Sequence, residues 1–312
     1  MNILKSTTLI LALLAGAALA CPASALEGTL KKVKDSGAIT IGHRDSSIPF
    51  SYYDDKQHPI GYALDICYKI VDAVKAQLNM PNLKVNLLPV TSSTRIPLMA
   101  NGTIDLECGS TTNNAERKKQ VDFGMTYYIV KYRYVSKKSS HMDKIDDLKG
   151  KTVASTAGTT DIRALNKLNT ERNFGMNIIA ANDHAQAFLM VETGRASAFL
   201  MDDILLSGLV ANSKNPSEFH ISSESLGLEP YSLMFRRDDP EFKQLVDDSM
   251  AKLYTSGAIM KIYDKWFINP IPPKGINLNT PASDALKHVF ANPPAPPDPD
   301  RPEQHPSQPQ SP

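Results

Sequence analysis

From residue 38 onward, short apolar runs alternate with longer stretches in which apolar positions recur every three or four residues. The short runs at 38–42, 83–88, 104–108, 151–155, 176–179 and 198–201 predict strands, and 127–136 predicts a longer one. Helical spacing places Ile66, Ile70, Val74 and Leu78 on one face of a helix expected over 62–78. Further helices are expected near 95–101, 161–168 and 185–192. A strand at 231–235 and two helices at 241–254 and 258–266 follow, halted by the prolines between 270 and 273. Alternation of this kind predicts βαβ units, and two successive sets of it predict an α/β fold of two lobes, each a mostly parallel sheet flanked by helices.

Open parallel sheets bind ligands beyond the carboxyl ends of their strands. Those ends carry His43, Arg44 and Asp45; Thr91, Ser92 and Arg95; Ser110 and Thr112; Thr156, Gly158, Thr159 and Thr160; His184; and Asp202. Arginine and hydroxyl groups dominate. No nucleophile–base pair, metal-ligand spacing or glycine-rich nucleotide loop accompanies them, so no catalytic residue, metal or cofactor is expected. The run from Cys108 to Phe123, CGSTTNNAERKKQVDF, sets Ser110, Thr111 and Thr112 close to Arg117. A guanidinium matches a carboxylate with two parallel hydrogen bonds, which points to grip on a small anion. Arg44, Arg95 and Arg117 against Asp202 leave an excess of positive charge.

Lys5 followed by an apolar stretch and small residues has the layout of a secretory signal peptide over 1–25, which predicts export. Lipid attachment at Cys21 is the less expected exit, because Ala18 stands where a lipobox has leucine. No later segment offers the roughly 18 apolar residues of a membrane-spanning helix. Thirty-four basic residues offset 33 acidic ones, for a formal charge of +1, and they are scattered. That distribution speaks against a nucleic-acid partner. Cys67 and Cys108 remain as an even pair, compatible with a disulfide and equally with two buried thiols. Residues 291–312, rich in proline, are expected to form a disordered tail.

The segments GHRDSSIPFSYYD, TSSTRIPLMANGTIDLECGSTTNNAERKKQVDF, STAGTTDIRALNKLN, AFLMDD and DKWFINPIPP together resemble the polar amino-acid solute-binding proteins of ABC transporters, in particular the glutamate/aspartate binders. The resemblance runs from about residue 30 to 286 and leaves out the leader and the tail. It implies a periplasmic-binding-protein fold with two hinge crossings, near 129–132 and 231–234. Lobe 1 would comprise 26–130 plus 232–290 and lobe 2 would comprise 131–231. It further implies a soluble periplasmic monomer that captures L-glutamate or L-aspartate and delivers it to a membrane permease.

Residue by residue, the resemblance has Arg117 clamp the α-carboxylate with Ser110, Thr112 and Thr160. Asp202 would accept the α-ammonium, its neighbour Asp203 being the alternative, and Arg44, Ser92, Arg95 and His184 would face the distal carboxylate. A cationic His184 would make affinity fall as pH rises. Glu107 is expected to orient an arginine from behind. Singly, Arg44 and Arg95 read as surface ion-pair residues and His184 as a helix-capping or packing histidine; Met142, Met176 and Met201 read as core filler, and Trp266 as an anchor of the last helix on the first lobe. A rival from another class is a periplasmic enzyme on the same scaffold, such as a cyclohexadienyl dehydratase, although cations would replace the apolar wall an aromatic substrate needs. A receptor's sensory domain would require a membrane helix or signalling domain.

Overall fold

The computed structural model describes residues 26–293. The leader expected over 1–25 and nearly all of the tail expected over 291–312 lie outside the described residues. In chain order the elements begin with α1 (Gly28–Ser36), β1 (Ala38–His43) and a small sheet of β2 (Ser46–Ser47), β3 (Ser51–Tyr53) and β4 (Pro59–Ile60). Next come α2 (Tyr62–Gln77), β5 (Lys84–Pro89), α3 (Arg95–Ala100), β6 (Leu106–Cys108) and the long β7 (Val121–Lys137). The second set is β8 (Thr152–Thr156), α4 (Thr160–Glu171), β9 (Asn177–Ala181), α5 (His184–Glu192), β10 (Ala198–Asp202), α6 (Asp203–Asn212) and β11 (Phe219–Ile221). β12 (Leu228–Arg236), α7 (Pro240–Thr255), α8 (Ala258–Phe267) and α9 (Asp284–Ala291) complete the fold.

The main sheet runs β5-β1-β6-β12-β7-β10-β8-β9, with β11 added against β7. β1 pairs in parallel with β5 and β6, and β8 pairs in parallel with β9 and β10, so each lobe has the expected βαβ core. β7 and β12 pair antiparallel to each other and join these two parallel sets. The N-terminal part of β7 is laddered to β12, whereas Tyr132 to Ser136 ladders to β10. One strand therefore takes part in both lobes, and its length follows from that double role.

Local chemistry explains the element ends that bear on the site. Thr159 caps α4 by accepting from the amide of Ile162 at 3.2 Å, and Asp183 caps α5 by accepting from Gln186 at 2.8 Å. β10 is buried along its whole length, as expected of a strand covered on both faces. α2 buries Ile66, Ile70 and Val74 on the face its periodicity indicated. Beneath the β7–β12 crossing, Phe50, Tyr62, Tyr128, Tyr231, Tyr263 and Phe267 pack as an aromatic cluster with edge-on and stacked contacts. Trp266 donates its indole N–H to Asp65 Oδ2 at 2.7 Å, which ties α8 to α2. Met142, Met176 and Met201 lie in the core. Among the described residues no helix is long and apolar enough to cross a membrane.

Several elements escaped the periodicity. β7 starts at Val121 rather than 127 and β12 at Leu228 rather than 231. Gly124 interrupts the first, and the sequence Leu228-Glu229-Pro230 breaks alternation in the second. Helices α1, α6 and α9 were also unforeseen; α6 is apolar nearly all round, so it carries little 3.6-residue contrast.

Cys67 on α2 and Cys108 at the end of β6 form a disulfide, with Cα atoms 6.2 Å apart. It closes a loop with a sequence separation of 41, worth about 4 kcal/mol by loop-entropy reasoning. The bridge fastens the strand end that leads into Ser110 and Thr112. Reduction should therefore lower the urea midpoint markedly with little change in secondary structure below the transition. Coincident oxidised and reduced unfolding curves, with thiol titration proving reduction, would show that the bridge contributes nothing.

Candidate functional site

All nine predicted site residues converge on the junction between the lobes, and all nine are buried. Arg44 follows β1, Ser92 and Arg95 follow β5, and Ser110, Thr112 and Arg117 follow β6; Thr160, His184 and Asp202 come from the ends of β8, β9 and β10. The parallel strands of both lobes point their carboxyl ends at one another. Contacts cross the junction directly. Arg117 Nη2 donates to the carbonyl of Gly158 at 3.3 Å, the hydroxyls of Thr112 and Thr160 are 3.4 Å apart, and Arg44 Nη2 lies 3.4 Å from His184 Nε2. Gly158, at φ +76°, is required by this approach: a Cβ there would sit 2.7 Å from the carbonyl of Ser92.

One pole of the site is cationic. Arg44 Nη2 donates to Ser92 Oγ at 2.9 Å while its Nη1 has no protein partner. Arg95 Nη1 donates to Ser110 O at 3.0 Å and to Thr111 Oγ1 at 2.5 Å, and Thr111 in turn donates to Glu107 Oε2 at 2.6 Å. Glu107 Oε1 stands 3.9 Å from Arg95 Nη1, so it backs Arg95 chiefly through the Thr111 hydroxyl. Ser110 Oγ donates to Ser47 Oγ at 3.1 Å. Burial, and secondarily Arg95, bring the Arg44 guanidinium down to about 10.

The histidine at this pole is neutral, which corrects the cationic role. Burial depresses its pKa well below the usual imidazole value, and Arg44 and Arg95 add to the effect. Geometry gives the same answer. An arginine only donates, so His184 Nε2 beside Arg44 must accept, which leaves the proton on Nδ1 to be donated to Thr156 Oγ1 at 2.8 Å.

The other pole is acidic, and it holds two carboxyl groups beyond the predicted Asp202. Asp202 is joined by Asp161, which is buried, and by half-buried Glu229. Tyr231 donates its hydroxyl to Asp202 Oδ2, Thr160 Oγ1 donates to Glu229 Oε2 at 2.7 Å, and Asp202 Oδ1 has no protein partner. Burial, reinforced by Glu229 and Asp203, pushes Asp202 up to about 8 despite the Tyr231 hydrogen bond. Arg117 borders this pole; it donates Nη1 to the carbonyl of Thr112 at 2.9 Å, and burial with Arg95 and Arg163 nearby brings it down to about 9. Asp203, the alternative to Asp202, instead accepts from the Lys131 amide at 3.2 Å at the start of α6.

Sequence reasoning missed Asp161, Glu229 and Tyr231 as site residues. Asp161 directly follows Thr160, so a wider reading of the same strand end would have reached it. Glu229 precedes the point at which β12 was expected to start. Tyr231 was assigned to the hinge crossing alone.

Neutral, buried His184 makes stability depend on pH. Because its folded value lies below the ordinary one, the unfolded chain takes up the proton first; this stability is complete above about pH 6.5 and is lost as pH falls below it. Thermal midpoints measured from pH 7.5 to 4.5 should fall more steeply for the native chain than for His184→Gln. Parallel slopes would mean that His184 charges freely in the folded state.

Comparison with known proteins gives a consistent family. The chain is 51% identical over 291 residues to the L-glutamate/L-aspartate-binding protein of Pseudomonas aeruginosa, covering 93% of this chain and 95% of that one. It is 48% identical over 296 residues to the glutamate/aspartate import solute-binding protein of Escherichia coli, covering 94% and 98%. Among solved structures, an ancestral amino acid-binding protein described as a precursor of cyclohexadienyl dehydratase superposes with a TM-score of 0.66 at 25% identity, over 77% of this chain and 99% of that one. The model of the bacterial extracellular solute-binding proteins, family 3, matches residues 39–269, and the chain belongs to that family.

Proposed function

We propose that this protein is the substrate-binding component of an ABC importer and captures L-glutamate or L-aspartate between its lobes. The observation that carries the reading is the division of the junction into a cationic pole at Arg44 and Arg95 and an acidic pole at Asp202, with Arg117 between lobes. An acidic amino acid has the matching layout: a distal carboxylate, an ammonium and an α-carboxylate. Arg117 holds the α-carboxylate with Ser110, Thr112 and Thr160; Asp202 takes the ammonium on its unpartnered Oδ1. Arg44 Nη1, Ser92, Arg95 and neutral His184 serve the distal carboxylate. The names of the two relatives at about half identity support the same ligand class.

Closure follows from the electrostatics. Bringing the lobes together removes guanidiniums and carboxyl groups from water, and the burial that depresses Arg44 and Arg117 and raises Asp202 is compensated only in part by protein groups. A ligand that supplies two carboxylates and an ammonium replaces the lost water at each group, so it favours the joined arrangement differentially. We assign lobe 2 to residues 131–231, with hinges in β7 and β12. Support comes from the shifts of register between those strands at Tyr231/Ser232 and Ser232/Met234. We take the protein to act as a monomer. Export to the periplasm and docking of the closed form to a membrane permease complete the role.

The dehydratase rival loses ground on the same features. The junction walls are charged and hydroxyl-bearing side chains, and the two relatives named above are solute-binding proteins. Calorimetry with four ligands tests the reading. Glutamate and aspartate should bind saturably, and glutamine and asparagine should bind about 30-fold to several thousandfold more weakly, since a neutral amide leaves a buried cation unpaired at a cost of about 2–5 kcal/mol. Equal binding of acids and amides would refute the roles given to Arg44 and Arg95.

A further inference from the structure

Asp161 is a carboxylate that the proposed ligand contacts leave unused. It is 1% exposed, and no other residue gives a hydrogen bond to either of its oxygens. A fully buried, unpartnered carboxylate is costly, and its place in the fold makes the cost informative. It occupies the first turn of α4, directly after Thr160, where the positive end of the helix dipole favours negative charge. The charged groups near enough to act on it are Asp202 at the end of β10, Glu229 on β12 and Arg117 after β6, and it acts in turn on Tyr132 of β7 and Tyr231 of β12.

The charge count at this pole exceeds what a single acceptor for an ammonium requires. Three carboxylates face one guanidinium. Glu229 is engaged by the Thr160 hydroxyl, and one oxygen of Asp202 is engaged by Tyr231. Free acceptor capacity in the buried part of the pole therefore lies on Asp202 Oδ1 and on both oxygens of Asp161. An α-ammonium has three N–H donors, so one carboxylate oxygen leaves it undersatisfied.

We propose that Asp161 is a second acceptor for the ligand's ammonium, so that the cation is gripped between two carboxylates, one from α4 and one from β10. This rests on the reading of the protein as an acidic amino-acid binder. Burial, together with Asp202 and Glu229, holds Asp161 well above the usual carboxylate range when the protein alone surrounds it. An ammonium beside it reverses the sign of that influence and favours the ionised form. The device makes the site demand an amine: a dicarboxylate without one meets two unneutralised acids when the lobes join.

The test compares L-glutamate with glutarate, which keeps both carboxylates and lacks the ammonium, on the native chain, Asp161→Asn and Asp161→Ser. Titration of glutamate into the native chain comes first; no saturable binding there overturns the acidic amino-acid reading and this proposal with it. Given binding, Asp161→Asn should weaken glutamate by at least about 30-fold, the loss expected when a buried charge pair is broken. Glutarate should bind unchanged or tighter. The melting temperature of the ligand-free variants should hold or rise, because a buried carboxyl group that no other residue satisfies has been removed. Retention of glutamate affinity within about twofold, as a permanently protonated Asp161 would give, overturns the proposal. So does an equal loss for both ligands, or a lowered melting temperature in both variants with a merely parallel loss of affinity. Asp161→Ser keeps the comparison available if the amide packs poorly.

Discussion

Ionised side chains tolerate removal from water only where opposite charge or hydrogen bonds take the water's place. The lobe junction gathers three buried guanidiniums, from Arg44, Arg95 and Arg117, and three buried carboxylates, from Glu107, Asp161 and Asp202, with Glu229 beside them. Only part of this charge is matched internally. Glu107 reaches Arg95 through Thr111, and Tyr231 holds one oxygen of Asp202. Arg44 Nη1, Asp202 Oδ1 and the Asp161 oxygens have no protein partner. The remainder of the fold serves to hold these groups at fixed separation until a matching solute arrives.

The scaffold does so by topology. Parallel strands put the loops that carry the polar residues at one end of each lobe, and β7 and β12 bring those ends face to face. Caps on α4 and α5 fix the backbone immediately before Thr160 and His184, and the Cys67–Cys108 bridge anchors the strand before Ser110. The aromatic cluster under the crossing gives the two long strands a rigid bed, so that bending can concentrate at the register shifts between them. Rigid lobes on a narrow hinge let a few side-chain contacts control a large displacement.

Much of this was legible from the sequence because strand ends in parallel sheets are where ligand-binding residues belong. Arg44, Arg95 and Asp202 were each found by that rule and by resemblance, and Arg117 by its place after the hydroxyl-rich run and by resemblance. Two kinds of information were not legible. The protonation of His184 depends on which groups the fold sets beside it: next to Arg44 it must accept, so a residue that reads as a cation becomes a neutral acceptor. The charge balance depends on residues that approach from other elements, and Glu229 entered from a strand whose start was misjudged because Pro230 interrupts its pattern. Asp161 was legible in position but not in burial, and an aspartate in the first turn of a helix ordinarily reads as a solvated cap-side charge.

Small-angle scattering with a matched set of ligands tests the central claim most directly, namely that solute charge at both poles is what joins the lobes. Saturating L-glutamate should reduce the radius of gyration, whereas saturating glutarate, which has both carboxylates but no ammonium for Asp202, and 4-aminobutyrate, which lacks the α-carboxylate, should each leave the protein close to its ligand-free dimensions. Full compaction with glutarate, or a ligand-free protein already as compact as the glutamate complex, would contradict the account.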